Sequence, residues 1–302
     1  MKNKKFYIIL VVLALILFST IAFKSKLFNN PTSTKVDVSS TVENKNDTKN
    51  DNKEEAPQVS SIYSKINIDE KYKGHELKDN SIGVPVVYYH SIQLSGTNEL
   101  MLNPDTFRSH LKWLKDNNYV SLTMDELYNH LKFNKPVPKN SIVLTFDDGY
   151  IDNFKNALPI LKEYGYDGTV FMISDYLGNE NFLTNDLLTQ CDEGNLFVES
   201  HSSTHPELAT LTNQQQENEL KSSKSNLEAI VKRPVEYIAY PYGSYNTETK
   251  LLSEKAGYKL GLSTDSGFAT GKSPLYAVPR VYMSDFYSLD EFINRVTNPN
   301  YE

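Results

Sequence analysis

Two adjacent acids, Asp147 and Asp148, close the apolar run Ser141 to Phe146, and two imidazoles, His201 and His205, follow the run Leu196 to Ser200. Successive residues on an extended chain project to opposite sides, so neighbouring carboxylates can do different work. One can bind a cation while the other accepts a proton. A solvated turn or a helix start is the plainer use of such acids. In His201-Ser202-Ser203-Thr204-His205-Pro206, the proline disfavours helical backbone at His205. The spacing therefore describes a loop holding two imidazoles; two unrelated surface histidines are the alternative. Asp148, His201 and His205 offer one oxygen and two nitrogens, and three protein ligands leave positions open for water and substrate. A divalent metal held in this way lowers the pKa of water and polarises a carbonyl. Asp147 stands beside it as a candidate general base. A third run ends in Tyr240-Pro241-Tyr242-Gly243-Ser244. Gly243 permits close backbone approach, and the Tyr242 amide can face a developing oxyanion. By itself this motif also reads as an ordinary Pro/Gly turn.

These groups need strands to carry them. Val84–Tyr89, Ser141–Phe146, Gly168–Ile173, Leu196–Ser200, Tyr237–Tyr240 and Leu260–Ser263 are short apolar runs rich in strand formers. Between them lie helix signals. Asn103-Pro104 pairs an N-cap with proline at the first helical position, predicting a helix to about Asp116. Thr123 with Glu126, and Thr212 with Gln215, fit capping boxes. Apolar strands alternating with helices predict an α/β fold on a parallel sheet, with chemistry gathered at the strands' C-terminal ends.

Composition narrows the function. The chain has 302 residues, a net charge of -7 and a single cysteine, Cys191. No basic stripe marks it for nucleic acid. Cys191 reads as a buried small hydrophobe. Lys2, Lys4 and Lys5 precede an apolar run from Phe6 to Phe23, near the ~20 residues that span a bilayer. The expected organisation is a membrane anchor or signal segment over 1–28, a flexible linker over 29–80, and a catalytic domain over 81–302. The leading lysines place the domain outside the cytoplasm, anchored to the membrane or secreted after cleavage.

Thr145-Phe146-Asp147-Asp148-Gly149-Tyr150, the His201–Pro206 motif and Pro241-Tyr242-Gly243 resemble the successive motifs of the polysaccharide deacetylase family, carbohydrate esterase family four, with its NodB-homology domain. The resemblance implies a distorted (β/α) barrel and a divalent metal, Zn2+ first, with Co2+ or Ni2+ accepted. It implies Asp148, His201 and His205 as metal ligands, Asp147 as general base, the Tyr242 amide as oxyanion donor, and Pro241 and Tyr242 against the substrate.

Two positions depart from the family pattern. Ala239 stands where many members carry an arginine, and no histidine follows His205 to supply the usual general acid. His90, at the end of the first strand, resembles the acid of poly-N-acetylglucosamine deacetylases, in which that residue comes from the N-terminal strand. Arg280 is the candidate replacement beside Asp147, and Asp265 the candidate that orients Arg280. The expected protein is a monomeric hydrolase removing N-acetyl groups from a biofilm-type poly-N-acetylglucosamine. The alternatives are a peptidoglycan N-acetylglucosamine deacetylase, an O-acetyl xylan esterase of the same family, and a silent carbohydrate-binding module. Two histidines and a carboxylate also suit a redox iron enzyme, but the paired aspartates favour hydrolysis.

Overall fold

The computed structural model describes residues 67–94 and 98–301. The expected anchor, and the linker as far as residue 66, lie outside the described residues. Among the described residues, no helix is long and apolar enough to cross a membrane.

Among the described residues, seven parallel strands close into a barrel. They are β1 Val86–Tyr89, β2 Ser141–Phe146, β3 Gly168–Met172, β4 Leu196–Ser200, β5 Tyr237–Ala239, β6 Leu260–Ser266 and β7 Val278–Tyr282. Neighbours run β1-β7-β6-β5-β4-β3-β2, and the β1–β2 pairing closes the ring. Helices on the outside connect them: α1 Pro104–Asp116, α2 Met124–Phe133, α3 Leu158–Tyr164, α4 Asn185–Glu193, α5 Asn213–Val231, α6 Thr247–Lys255 and α7 Leu289–Thr297. The Thr123 and Thr212 capping boxes form as predicted, and Asn103 caps α1 ahead of Pro104.

Period-two alternation sorts the strand residues. Val87 and Tyr89 of β1, and Ile142, Leu144 and Phe146 of β2, pack into the large cluster that also holds helix residues such as Leu111, Leu161 and Phe292. Val86, Val143, Phe171, Tyr237 and Val278 form a second cluster. Residues that continue this second face up each strand arrive at one end of the barrel: His90 after β1, Asp147 after β2, His201 after β4, and Arg280 within β7.

Two expectations need correction. Strand β7 was not among the predicted strands, because Pro279 and Arg280 interrupt its apolar pattern. It is nonetheless the parallel partner of both β6 and β1. The flexible linker over 29–80 also reaches too far. Ile68–Lys71 form a helical turn, Leu77–Lys78 pair antiparallel with Val137–Pro138, and Lys71 bonds Glu126 and Asp167 at 2.7 and 2.9 Å. These polar anchors hold a segment whose composition alone promises little burial.

Candidate metal centre

The bend after β2 separates the two acids. Asp148 adopts a left-handed backbone, φ 72°, and Gly149 follows at φ 82°. A side chain on Gly149 would run into Met172 Sδ at 2.0 Å, so only glycine fits. Asp147 then faces the barrel interior, where Arg280 grips both of its oxygens: Nη1 to Oδ1 at 2.8 Å and Nη2 to Oδ2 at 2.7 Å. Arg280 Nε donates to the Ser263 carbonyl at 2.9 Å, and its guanidinium lies 4.2 Å from the Tyr88 ring centre. Burial pushes the Asp147 carboxyl up, but Arg280 and His201 outweigh it and hold it below the usual carboxylate range. Asp147 is thus kept as an ionised acceptor.

Asp148 turns to the histidines. Its Oδ1 lies 3.4 Å from His201 Nε2 and 3.3 Å from His205 Nε2, and the two Nε2 atoms are 3.2 Å apart. His201 Nδ1 is 2.8 Å from the Ala239 carbonyl. A carbonyl can only accept, so the Nδ1 proton is fixed there and Nε2 is the nitrogen left to face Asp148 or a cation. The Tyr242 hydroxyl lies 3.2 Å from His205 Nδ1. Burial raises the Asp148 carboxyl, yet its bonds to His201 and His205 bring it well below the ordinary range. Burial lowers the His201 imidazole, yet the Asp148 bond and the charges of Asp147 and Asp148 raise it overall. One carboxylate oxygen and two imidazole nitrogens, all within 4.8 Å of one another, fit the donor set of a divalent cation.

The loop carrying the imidazoles is strained and clamped. Ser202 and His205 have φ of 63° and 64°, so Pro206 does mark a non-helical His205. The His205 N–H donates to Ser202 Oγ at 3.1 Å. Glu219, on α5, accepts from the Ser203 and Thr204 N–H groups at 2.9 and 2.8 Å and from Thr204 Oγ1 at 2.7 Å. Asp175 accepts from Ser203 Oγ at 2.9 Å. Sequence reasoning missed Glu219, because it sits in a polar helix among Glu217 and Asn218 and only the fold brings it to the loop.

His90 packs edge-on between Tyr88 and Tyr282, with ring centres 5.9 and 6.3 Å away. Its Nδ1 is buried and has no partner among the described residues. Burial lowers its imidazole, partly offset by Asp147 and Asp148. Asn153, in a single π-helical turn at the head of α3, donates to the His90 carbonyl at 2.8 Å, and Asp152 accepts from Ser91 Oγ and the Ile92 N–H, both at 2.7 Å. These two residues fix the backbone on which His90 rides, and they too escaped the sequence reading.

The third motif forms a turn with Tyr242 at φ 57° and Gly243 at φ 66°. The Gly243 and Ser244 N–H groups donate to the Tyr240 and Pro241 carbonyls at 2.9 Å each, fixing the turn in which the Tyr242 amide sits. A side chain on Gly243 would strike Thr264 Oγ1 at 1.9 Å. Two sequence expectations fail here. Pro241 is buried in the turn, so it offers no face to a substrate, whereas Tyr242 is 65% exposed. Asp265 does not orient Arg280: its Oδ2 accepts from the Tyr245 hydroxyl at 2.8 Å and Ser263 Oγ at 2.9 Å. Cys191 is buried and free, as its composition context suggested.

Comparison with known proteins adds to this geometry. A family model described as polysaccharide deacetylase matches residues 134–261. YxkH of Bacillus subtilis, a polysaccharide deacetylase by name, is 38% identical over 201 residues, spanning 67% of this chain and 71% of that protein. A Staphylococcus aureus poly-beta-1,6-N-acetyl-D-glucosamine N-deacetylase is 31% identical over 194 residues, spanning 59% of this chain and 66% of its own length. The structure of the Streptococcus pyogenes deacetylase PplD in complex with acetate superposes with a TM-score of 0.68 at 29% identity, covering 71% of this chain and 98% of that one.

Proposed function

Since this chain belongs to the polysaccharide deacetylase family, a family of hydrolases, we propose that it removes N-acetyl groups from poly-β-1,6-N-acetylglucosamine by metal-assisted amide hydrolysis. The observation that carries the mechanism is the division of labour between adjacent acids: Asp147 locked on Arg280, Asp148 turned to His201 and His205. The polymer assignment draws on likeness to the Staphylococcus aureus enzyme and on His90 standing at the end of β1.

Asp148, His201 and His205 would hold the cation, Zn2+ by the character of its nitrogen and oxygen ligands. A bound divalent metal supplies Lewis acidity toward the acetyl carbonyl and lowers the pKa of water. Asp147 accepts the proton of the attacking water; Arg280 keeps it ionised and aims both oxygens. The Tyr242 amide donates to the oxyanion that forms as the carbonyl carbon becomes tetrahedral. An amine leaves poorly unless protonated, and His90 supplies that proton. Water enters, acetate departs, and a free amine remains on the sugar.

The test is acetate release from poly-β-1,6-N-acetylglucosamine compared with peptidoglycan. Release from the former at the higher kcat/KM is expected. Preference for peptidoglycan would move the assignment to a wall deacetylase with the same chemistry.

A further inference from the structure

Each turnover of the proposed reaction leaves an ammonium group on the polymer, next to acetamides still to be cleaved. Asp265 is built to meet such a group. It lies near the C-terminal end of β6, on an exposed stretch, with the site turn against it. Thr264 contacts the position of Gly243, and Asp265 bonds Tyr245, two residues farther along the same chain. On the other flank of that turn, Tyr242 touches His205, with ring centres 4.6 Å apart. The order across the mouth is therefore metal ligand, exposed Tyr242, Tyr245, Asp265.

The Asp265 carboxylate is held by one oxygen and exposed. Oδ2 takes both the Tyr245 and Ser263 hydroxyls, while among the described residues none bonds Oδ1. No Lys or Arg among the described residues lies within ion-pair distance of it. Lys250 Nζ sits 5.7 Å from the centre of the Tyr245 ring. A fixed carboxylate with an oxygen turned to solvent, bonded to the segment that presents the exposed Tyr242 ring, is a combination that binds an amino sugar: the Tyr242 face packs on the sugar, and the carboxylate takes its ammonium.

We propose that Tyr242, Tyr245 and Asp265 form a flanking subsite for an already deacetylated, cationic glucosamine unit of the polymer, so that the enzyme favours partly deacetylated chains. This rests on the poly-N-acetylglucosamine reading of the same site.

The test uses the full chain, zinc-loaded, and two β-1,6-linked tetrasaccharides. One is fully N-acetylated; the other carries a single glucosamine unit. The wild type is expected to show kcat/KM about threefold to fivefold higher on the second, the size of one exposed ion pair. The gap should close as salt screens it. Asp265→Asn keeps both hydroxyl contacts through its amide oxygen and should bring the ratio to about one. Equal kcat/KM for the two oligomers in the wild type, a preference indifferent to salt, or an undiminished ratio in Asp265→Asn overturns the subsite alone. Failure to release acetate from either oligomer overturns the polymer assignment, and the subsite with it.

Discussion

Arg280 and Arg233 are both buried and both grip carboxylates, yet one serves a reaction and the other a fold. Arg233, just ahead of β5, bonds Asp192 through Nε and Nη2, Glu199 through Nη1, and the Val198 and Pro234 carbonyls. Its partners are bound in turn. Asp192 also accepts from the Val198 N–H, and Glu199 from the Glu236 and Tyr237 N–H groups. One guanidinium there serves two carboxylates, and backbone N–H groups complete both. Arg280 instead pairs with one carboxylate, Asp147, and one residue on, Asp148 meets two imidazole nitrogens that converge on it and on each other. A saturated network cements strands together. A network whose donor atoms converge without internal resolution is prepared for something from outside.

Breaking the comparison begins with the base. Asp147→Asn should lower kcat by about 10²–10⁴-fold, the usual contribution of a positioned base, while calorimetry finds zinc binding retained. Near-normal turnover would remove Asp147 from its role. Next come the two arginines. Arg280→Met removes the group holding the Asp147 carboxyl down. That carboxyl then rises, so the acid limb of the kcat/KM profile moves to higher pH. A profile that stays in place would reduce Arg280 to a structural pair. Arg233→Met should instead cost about 3–5 kcal/mol in urea unfolding, since it leaves Asp192 and Glu199 buried without their cation, with the pH profile of the folded fraction unmoved. A moved profile there would erase the distinction between the two regions.

The smallest effect concerns the clamp on the histidine loop. Glu219→Gln retains one acceptor oxygen but loses the charge that three donors share. Zinc affinity should fall about 10–100-fold, with kcat largely recovered at saturating metal. Unchanged affinity would mean the loop holds its left-handed turns without help.

Much of this was legible in the chain because strand alternation is a local rule. Once Ser141–Phe146 reads as a strand, Thr145 and Asp147 must share a face, and the same parity carries Tyr88 to His90. The capping boxes at Thr123 and Thr212 are equally local. What stayed hidden depends on distant pairing. Arg280 was suspected as a residue but not as part of a strand, since Pro279 disguises β7 and only the partners β1 and β6 make it one. The sequence suggests Asp265 as the residue that orients Arg280; in the fold, Ser263 takes both, Arg280 on its carbonyl and Asp265 on its hydroxyl. Lys71 and the turn it belongs to gave no sign that Glu126 and Asp167 would hold them.

The central claim is that Asp148, His201 and His205 hold one catalytic cation. Metal-stripped protein titrated with Zn2+, with bound metal and acetate release followed together, tests it most directly. The account predicts activity rising to a plateau at one equivalent, and neither tight binding nor activity in His205→Ala. Full acetate release from metal-free protein, or one tightly bound zinc in His205→Ala, would contradict it.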